Sequence, residues 1–92
     1  MSNQIVHNTD KQRYEIHVDG VLAGFTQAIE DGEVVTFPHT VVFDGHEGQG
    51  LAAELVTGAL DDVRRQGNKI IAECAYVARF VQKHPDYADL LA

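Results

Sequence analysis

The chain has 92 residues, of which 45% are hydrophobic and 23% are charged, and its formal net charge is −7. This composition is typical of a small globular protein, and we predict a single domain over residues 1–92. The acidic balance argues against a nucleic-acid or membrane-surface partner, because phosphate contacts need clustered Lys and Arg; a cationic partner such as an amine stays compatible.

No apolar run approaches the ~18–20 residues that span a bilayer. The first residues lack the basic and apolar segments of a secretory signal peptide. The single cysteine, Cys74, cannot form an internal disulfide, which suits a reducing compartment. We therefore predict a cytoplasmic protein.

The first half of the chain has the pattern of antiparallel strands. Polar and apolar residues alternate from Arg13 to Asp19, the period of a half-buried strand. Asp19-Gly20 and Asp31-Gly32 are hairpin signals, since both central turn positions need positive φ. Pro38 cannot donate to a β-ladder, so the strand that contains it must bulge or lie open on one side. The predicted strands cover residues 5–7, 13–19, 21–29 and 33–43.

The second half changes to helical periodicity. Apolar residues form one stripe from Leu51 to Val63, and Gly67 supplies a C-terminal stop. Residues 69–74 have the short apolar run of a buried parallel strand. A second helix is predicted over residues 76–83, ending before Pro85. The fold class is therefore α+β, an antiparallel meander followed by strand–helix–strand–helix.

The segment between strand 33–43 and the first helix contains Gly48-x-Gly50-x-Ala52. Free backbone N–H groups at a helix N-terminus, together with the helix dipole, attract phosphate oxygens without any basic side chain. Small residues matter there because a β-carbon would block close approach of a diphosphate to the backbone. A tight strand-to-helix turn that merely needs glycine is the alternative interpretation.

Two other glycine-rich phosphate sites do not fit this segment. A P-loop needs Gly-Lys-Ser/Thr at the helix start, whereas Gly50 is followed by Leu51 and Ala52. A dinucleotide fingerprint needs an early strand–helix–strand unit, whereas an antiparallel meander precedes this loop.

The stretch from Glu47 to Ala52 resembles the coenzyme A loop of the GNAT acyltransferase superfamily, Gln/Arg-x-x-Gly-x-Gly/Ala. Gly50 and Ala52 match its last two fixed positions, and Glu47 stands where Gln or Arg is usual. Residues 13–91 resemble more closely the small, stand-alone GNAT-like acetyl-CoA-binding proteins. Three stretches carry that likeness: Phe37-Pro38-His39-Thr40-Val41-Val42, Cys74-Ala75-Tyr76 and His84-Pro85-Asp86-Tyr87.

The resemblance implies a minimal GNAT-like fold whose mixed sheet splays between the fourth strand (33–43) and the fifth (69–74). It implies acetyl-CoA as co-substrate and no metal. The pantetheine arm is expected to pair with the backbone of Val41, Val42 and Phe43. The diphosphate is expected over the loop and helix start, formed by Glu47, Gly48, Gln49, Gly50, Leu51 and Ala52. A bulge at Pro38 would free an N–H group to polarise the thioester carbonyl.

Three side chains are candidates for chemistry or contact at that gap. Cys74 could accept the acetyl group as a thiolate, or it could be a small buried hydrophobe. His39 could deprotonate Cys74 or an incoming amine, or it could be held by local hydrogen bonds. Tyr76 could pack on the pantetheine or act as a general acid.

The predicted function is transfer of acetyl from acetyl-CoA to a nucleophile, with an amine as the expected acceptor and Cys74 as a relay. The alternative is a coenzyme A-binding or sensing module without efficient catalysis. Full-length GNAT enzymes carry a helical pair between their first two strands that shapes the acceptor site, and here only residues 8–12 are available. A weaker third hypothesis is a partner-binding domain that has lost the ligand.

Overall fold

The computed structural model describes residues 2–46 and 48–92 of the chain. The elements within these ranges are β1 (Asn3–Asn8), β2 (Arg13–Val18), β3 (Val21–Gln27), β4 (Ile29–Asp31), β5 (Val34–Phe37), β6 (Thr40–Val42), α1 (Leu51–Arg65), β7 (Lys69–Ala72), α2 (Ala75–Lys83) and a C-terminal 3-10 helix (Pro85–Leu90).

The described strands form two sheets. One is antiparallel with the order β1-β2-β3-β6, and the other has the order β4-β5-β7. In the second sheet β4 and β5 are antiparallel, whereas β5 and β7 are parallel. The predicted α+β class, with a meander, a helix and mixed strand pairing, is confirmed.

Two of the predicted strands each divide into two pieces that belong to different sheets. The segment 33–43 divides at Pro38: β5 pairs with β7, and β6 pairs with β3. The segment 21–29 divides at Ala28. Its N–H still donates to the Gln12 carbonyl at 2.8 Å, in register with the β2–β3 ladder, and from Ile29 onward the chain pairs with β5. Within the described residues, the last backbone hydrogen bond between the segments 33–43 and 69–74 runs from the Cys74 N–H to the Phe37 carbonyl, at 2.8 Å. Beyond it β6 leaves β7, which is the predicted splay.

The structure differs from the sequence prediction at the end of β7 and after the end of α2. β7 stops at Ala72 because Cys74, with φ −73° and ψ 129°, is already the N-cap of α2. The 3-10 helix after α2 was not predicted. Pro85 occupies its first position, where a fixed φ favours a helical turn and the missing N–H costs nothing.

The core lies between α1 and the inner faces of the sheets. The buried stripe of α1 consists of Leu51, Leu55, Val56, Ala59, Leu60 and Val63. Gly58 allows α1 to approach β1 closely, since a Cβ there would lie 2.8 Å from a side-chain carbon of Ile5. No helix in the described ranges is long and apolar enough to cross a membrane.

Polar contacts hold the C-terminal 3-10 helix against α1. The Arg64 guanidinium donates to the Asp89 carboxylate at 2.9 and 3.1 Å. The Tyr87 hydroxyl donates to Asp61 at 2.7 Å, and this hydrogen bond raises the pKa of Tyr87. Leu90 is buried beneath these contacts. The 3-10 helix therefore closes the core at the end of α1.

The outer face of the antiparallel sheet carries a buried carboxylate. Glu15 accepts hydrogen bonds from Arg13 Nε at 2.7 Å, His17 Nε2 at 2.9 Å and Asn8 Nδ2 at 3.0 Å. Burial alone would raise the pKa of Glu15, but the hydrogen bonds from His17, Arg13 and Asn8 outweigh it and lower the pKa to about 2. The ionised form of Glu15 thus stabilises the fold.

The hydrogen bonds to Glu15 predict that the free energy of unfolding decreases at acid pH. Because the folded pKa of Glu15 lies below its ordinary value of 4.5, its contribution is complete above that value and is lost as pH falls from about 4.5 towards about 2. Urea unfolding of Glu15→Gln should show lower stability at pH 7 and a flatter decline over that range than the parent. Glu33→Gln, on an exposed hairpin, is the control. Parallel curves for parent and Glu15→Gln would contradict the assignment.

Candidate functional site

The loop that leads from β6 into α1 depends on glycine backbone geometry. Gly45, Gly48 and Gly50 have φ of 91°, 77° and 72°, values that residues with a β-carbon rarely adopt. Gly50 is the N-cap of α1 and has no side chain to cap the helix. The first intrahelical bond runs from the Glu54 N–H to the Gly50 carbonyl. The N–H groups of residues 51–53 therefore have no intrahelical acceptor, and the dipole favours an anion there.

Open space lies in front of these glycines. A Cβ on Gly48 or Gly50 would meet no atom within 4 Å. The glycines are thus required by their positive φ, and the absence of Cβ atoms leaves the backbone accessible. A groove of about 250 Å³, here called the loop groove, begins at this point.

The loop groove brings together much of the predicted coenzyme A site. Its walls include the predicted residues Val42, Gly48, Gly50, Leu51, Ala52 and Tyr76, joined by His46 and Ala53. Gln49 is exposed in the loop. Phe43 packs edge-on against Phe25, with ring centroids 6.2 Å apart. Glu47 lies outside the described residues.

The register of β6 decides which backbone groups face the gap. β6 lies at one edge of the antiparallel sheet, and β1 lies at the other. The Phe43 N–H donates to the Ala23 carbonyl at 2.8 Å, and the His39 carbonyl accepts from the Gln27 N–H at 3.0 Å. Since alternate residues of a strand direct their polar groups to opposite edges, Thr40 and Val42 direct theirs away from β3 and into the gap.

Cys74 stands where the gap opens. Its side chain is buried, and Sγ lies 3.5 Å from Thr40 Oγ1, which in turn lies 2.8 Å from Thr26 Oγ1. Burial raises the pKa of the Cys74 thiol, but the Thr40 hydroxyl and the backbone N–H groups of Val77 and Tyr76 outweigh burial and lower it. A helix N-terminus that favours the thiolate is a recurring way to activate a cysteine.

His39 lies on the other side of the strand from this hydroxyl pair. Its exposed ring packs edge-on against Phe25, with centroids 6.0 Å apart. The side chain that contacts the thiol sulfur at 3.5 Å is that of Thr40, through its hydroxyl. Sequence reasoning missed both threonines, because neither belongs to a recognised catalytic pattern. The role of His39 as a base stays a prediction.

Tyr76 follows the cap of α2 and lines the loop groove. The residue is 38% exposed. Within residues 2–46 and 48–92, no group of three or more His, Cys, Asp or Glu side chains is placed to hold a metal ion.

This fold, with an edge strand that diverges at a glycine-opened helix, is that of an acetyltransferase family, as the match to a family model shows. The family model described as GCN5-related N-acetyl-transferase matches residues 13–90. The chain therefore belongs to the GCN5-related N-acetyltransferase family.

Individual relatives are distant in sequence. Protein NATD1 from Gallus gallus is 26% identical over 84 residues, which cover 89% of this chain and 76% of that protein. NATD1 from Homo sapiens is 25% identical over 84 residues, which cover 89% of this chain and 74% of that protein.

Two experimental structures share the fold. The solution structure of a GCN5-like protein from Staphylococcus aureus matches with a TM-score of 0.74 and 24% identity. The match covers 100% of this chain and 91% of that chain. The crystal structure of a ribosomal-protein-alanine N-acetyltransferase from Brucella melitensis matches with a TM-score of 0.57 and 21% identity. That match covers 87% of this chain and 60% of that chain.

The contact between Cys74 and Thr40 predicts the reactivity of the thiol. The rate of alkylation by iodoacetamide should rise with pH to a midpoint below that of an ordinary cysteine, because the pKa of the thiol is lowered. Thr40→Val should move that midpoint upward, because the thiolate loses a hydrogen-bond donor. Thr40→Ser, which keeps the hydroxyl, should restore the parent profile. An unchanged midpoint in Thr40→Val would show that the hydroxyl does not tune the thiol.

Proposed function

We propose that the protein binds acetyl-CoA and transfers its acetyl group to a nucleophile, with an amine as the expected acceptor. One observation carries the proposal. A thiol of lowered pKa stands where the edge strand β6 diverges from β7, and the same strand leads into the glycine-opened start of α1. Membership of the acetyltransferase family supports the same reaction class.

The described residues include hydrogen-bonding groups for both the diphosphate and the pantetheine arm of acetyl-CoA. The N–H groups of residues 51–53 would receive the diphosphate, in a cradle that no β-carbon fills. The amides of the pantetheine arm would pair with the gap-facing backbone of Thr40 and Val42, as an added strand pairs with a sheet edge. Tyr76 would flank the arm from α2.

The chemistry proposed for Cys74 is an acetyl relay. The thiolate attacks the thioester carbonyl carbon, a carbon–sulfur bond to Sγ forms and the bond to the coenzyme A sulfur breaks. The proton that left the thiol ends on the departing sulfur, which gives acetyl-Cys74 and coenzyme A. An amine then attacks the same carbonyl carbon, loses a proton and regenerates the thiol. The amine proton passes to a base, and the exposed His39 ring is the candidate that the sequence predicts for this step.

A second candidate function is a coenzyme A-binding or sensing module. It is favoured by the short β1–β2 connection, which covers residues 9–12, and by the exposure of Cys74, which is 9%. With so little chain between the first two strands, the acceptor side lacks an enclosing wall. The two functions share the ligand and differ in whether acetyl leaves the thioester.

Ligand binding is tested at the helix cap. Gly50→Leu should weaken acetyl-CoA binding more than about tenfold, because a side chain would enter the diphosphate cradle. Gly32→Leu is the matched control, since Gly32 also has positive φ and open surroundings but lies on a hairpin outside the groove. Each variant loses roughly 1–2 kcal/mol of stability from a left-handed non-glycine residue. Equal calorimetric affinities for the two variants would refute the cradle.

The relay is tested by intact-mass measurement. Mixing with acetyl-CoA should add one acetyl group to the parent, and hydroxylamine should remove it because it is a thioester. Cys74→Ala should bind acetyl-CoA as tightly as the parent and gain no acetyl group. If the parent binds well yet stays unmodified for hours, Cys74 is a core residue and the binding-module function is the correct one.

A further inference from the structure

A second groove adjoins the loop groove along α2. It measures about 310 Å³ and is here called the α2 groove. Both grooves are lined by Ala53 of α1 and Tyr76 of α2, so they meet at a shared wall. A ligand that leaves the start of α1 can continue past Tyr76 without crossing the core.

The α2 groove carries two uncompensated cations. Arg79 and Lys83 both line it, and their spacing of four residues puts them on the same face of the helix. Within the described residues neither makes an ion pair or a side-chain hydrogen bond.

Most other cations of the chain are already engaged. Arg13 is paired with Glu15, Arg64 with Asp89 and Arg65 with Asp62, and the Lys69 ammonium donates to the Asp89 carbonyl. In a chain with a net charge of −7, free cations next to a groove are available to an anionic ligand.

We propose that Arg79 and Lys83 bind the 3′-phosphate on the adenosine ribose of coenzyme A. The inference rests on the proposed function, since it concerns the far end of the same ligand. The diphosphate would use the N–H groups at the start of α1, and the 3′-phosphate, one ribose away, needs donors of its own.

The chemistry of the two side chains suits a phosphate dianion. The guanidinium of Arg79 can donate two parallel hydrogen bonds to phosphate oxygens, and Lys83 adds a point charge one helical turn further on. The ring of His84, stacked on Phe80 at a centroid distance of 4.1 Å, closes the same groove beside them. The site would therefore distinguish coenzyme A from dephospho-coenzyme A, which lacks only this phosphate.

The test compares those two ligands by calorimetry in four proteins: the parent, Arg79→Gln, Lys83→Gln and the double variant. The parent should bind coenzyme A roughly tenfold or more tightly than dephospho-coenzyme A, the scale of a charge-assisted contact. Each single variant should weaken coenzyme A binding and leave dephospho-coenzyme A binding nearly unchanged. The double variant should bind the two ligands with similar affinity.

Lys11→Gln is the control for general electrostatics. It removes the same charge from the β1–β2 connection, away from the groove, and should leave the preference for the 3′-phosphate unchanged. Both target side chains are exposed, so thermal unfolding should show intact folds.

The outcomes separate this inference from the proposed function. Equal weakening of both ligands by Arg79→Gln and Lys83→Gln would overturn the 3′-phosphate assignment, as would a parent that binds both ligands alike. In either case coenzyme A binding itself stands. A parent that binds neither ligand would overturn both proposals.

Discussion

Pro38 divides one continuous segment between two sheets, and the candidate site depends on that division. Without an N–H group, Pro38 cannot donate to a ladder, and on either side of it the chain takes different partners. The strand before it pairs with β7 and the strand after it pairs with β3. As a result β6 becomes an edge strand, and its polar backbone faces a gap instead of a neighbour.

The gap is useful because two other features meet at its ends. The glycine loop follows β6 directly and directs the free N–H groups of α1 towards the groove. On the opposite side, β7 stops early so that Cys74 can cap α2, which gives the thiol nearby N–H groups at the start of a helix. The same strand divergence therefore exposes a backbone edge, an anion cradle and a polarised thiol along one path.

The electrostatics of the chain bear on the proposed binding of a ligand with several phosphates by an acidic protein. Backbone dipoles at the start of α1 provide positive potential without a basic side chain. Elsewhere the described cations are mostly paired with carboxylates that hold the fold, as Arg13 is by Glu15 and Arg64 by Asp89. Within the described residues, Arg79 and Lys83 differ from these in having no ion-pair partner and in lying beside a groove. The fold thus separates cations that stabilise it from cations left available to a ligand.

Local patterns determined a large part of this molecule. Helix α1, both hairpins and the glycine-opened helix start follow from periodicity, turn chemistry and positive φ, which act between residues close in sequence. The likeness to GNAT proteins followed from short stretches of the same kind. The tertiary structure alone decided that Thr40 and Val42 face the gap, and that Cys74 contacts Thr40. These contacts join residues far apart in sequence, so they depend on strand register and on where each strand changes partner, which no local pattern specifies.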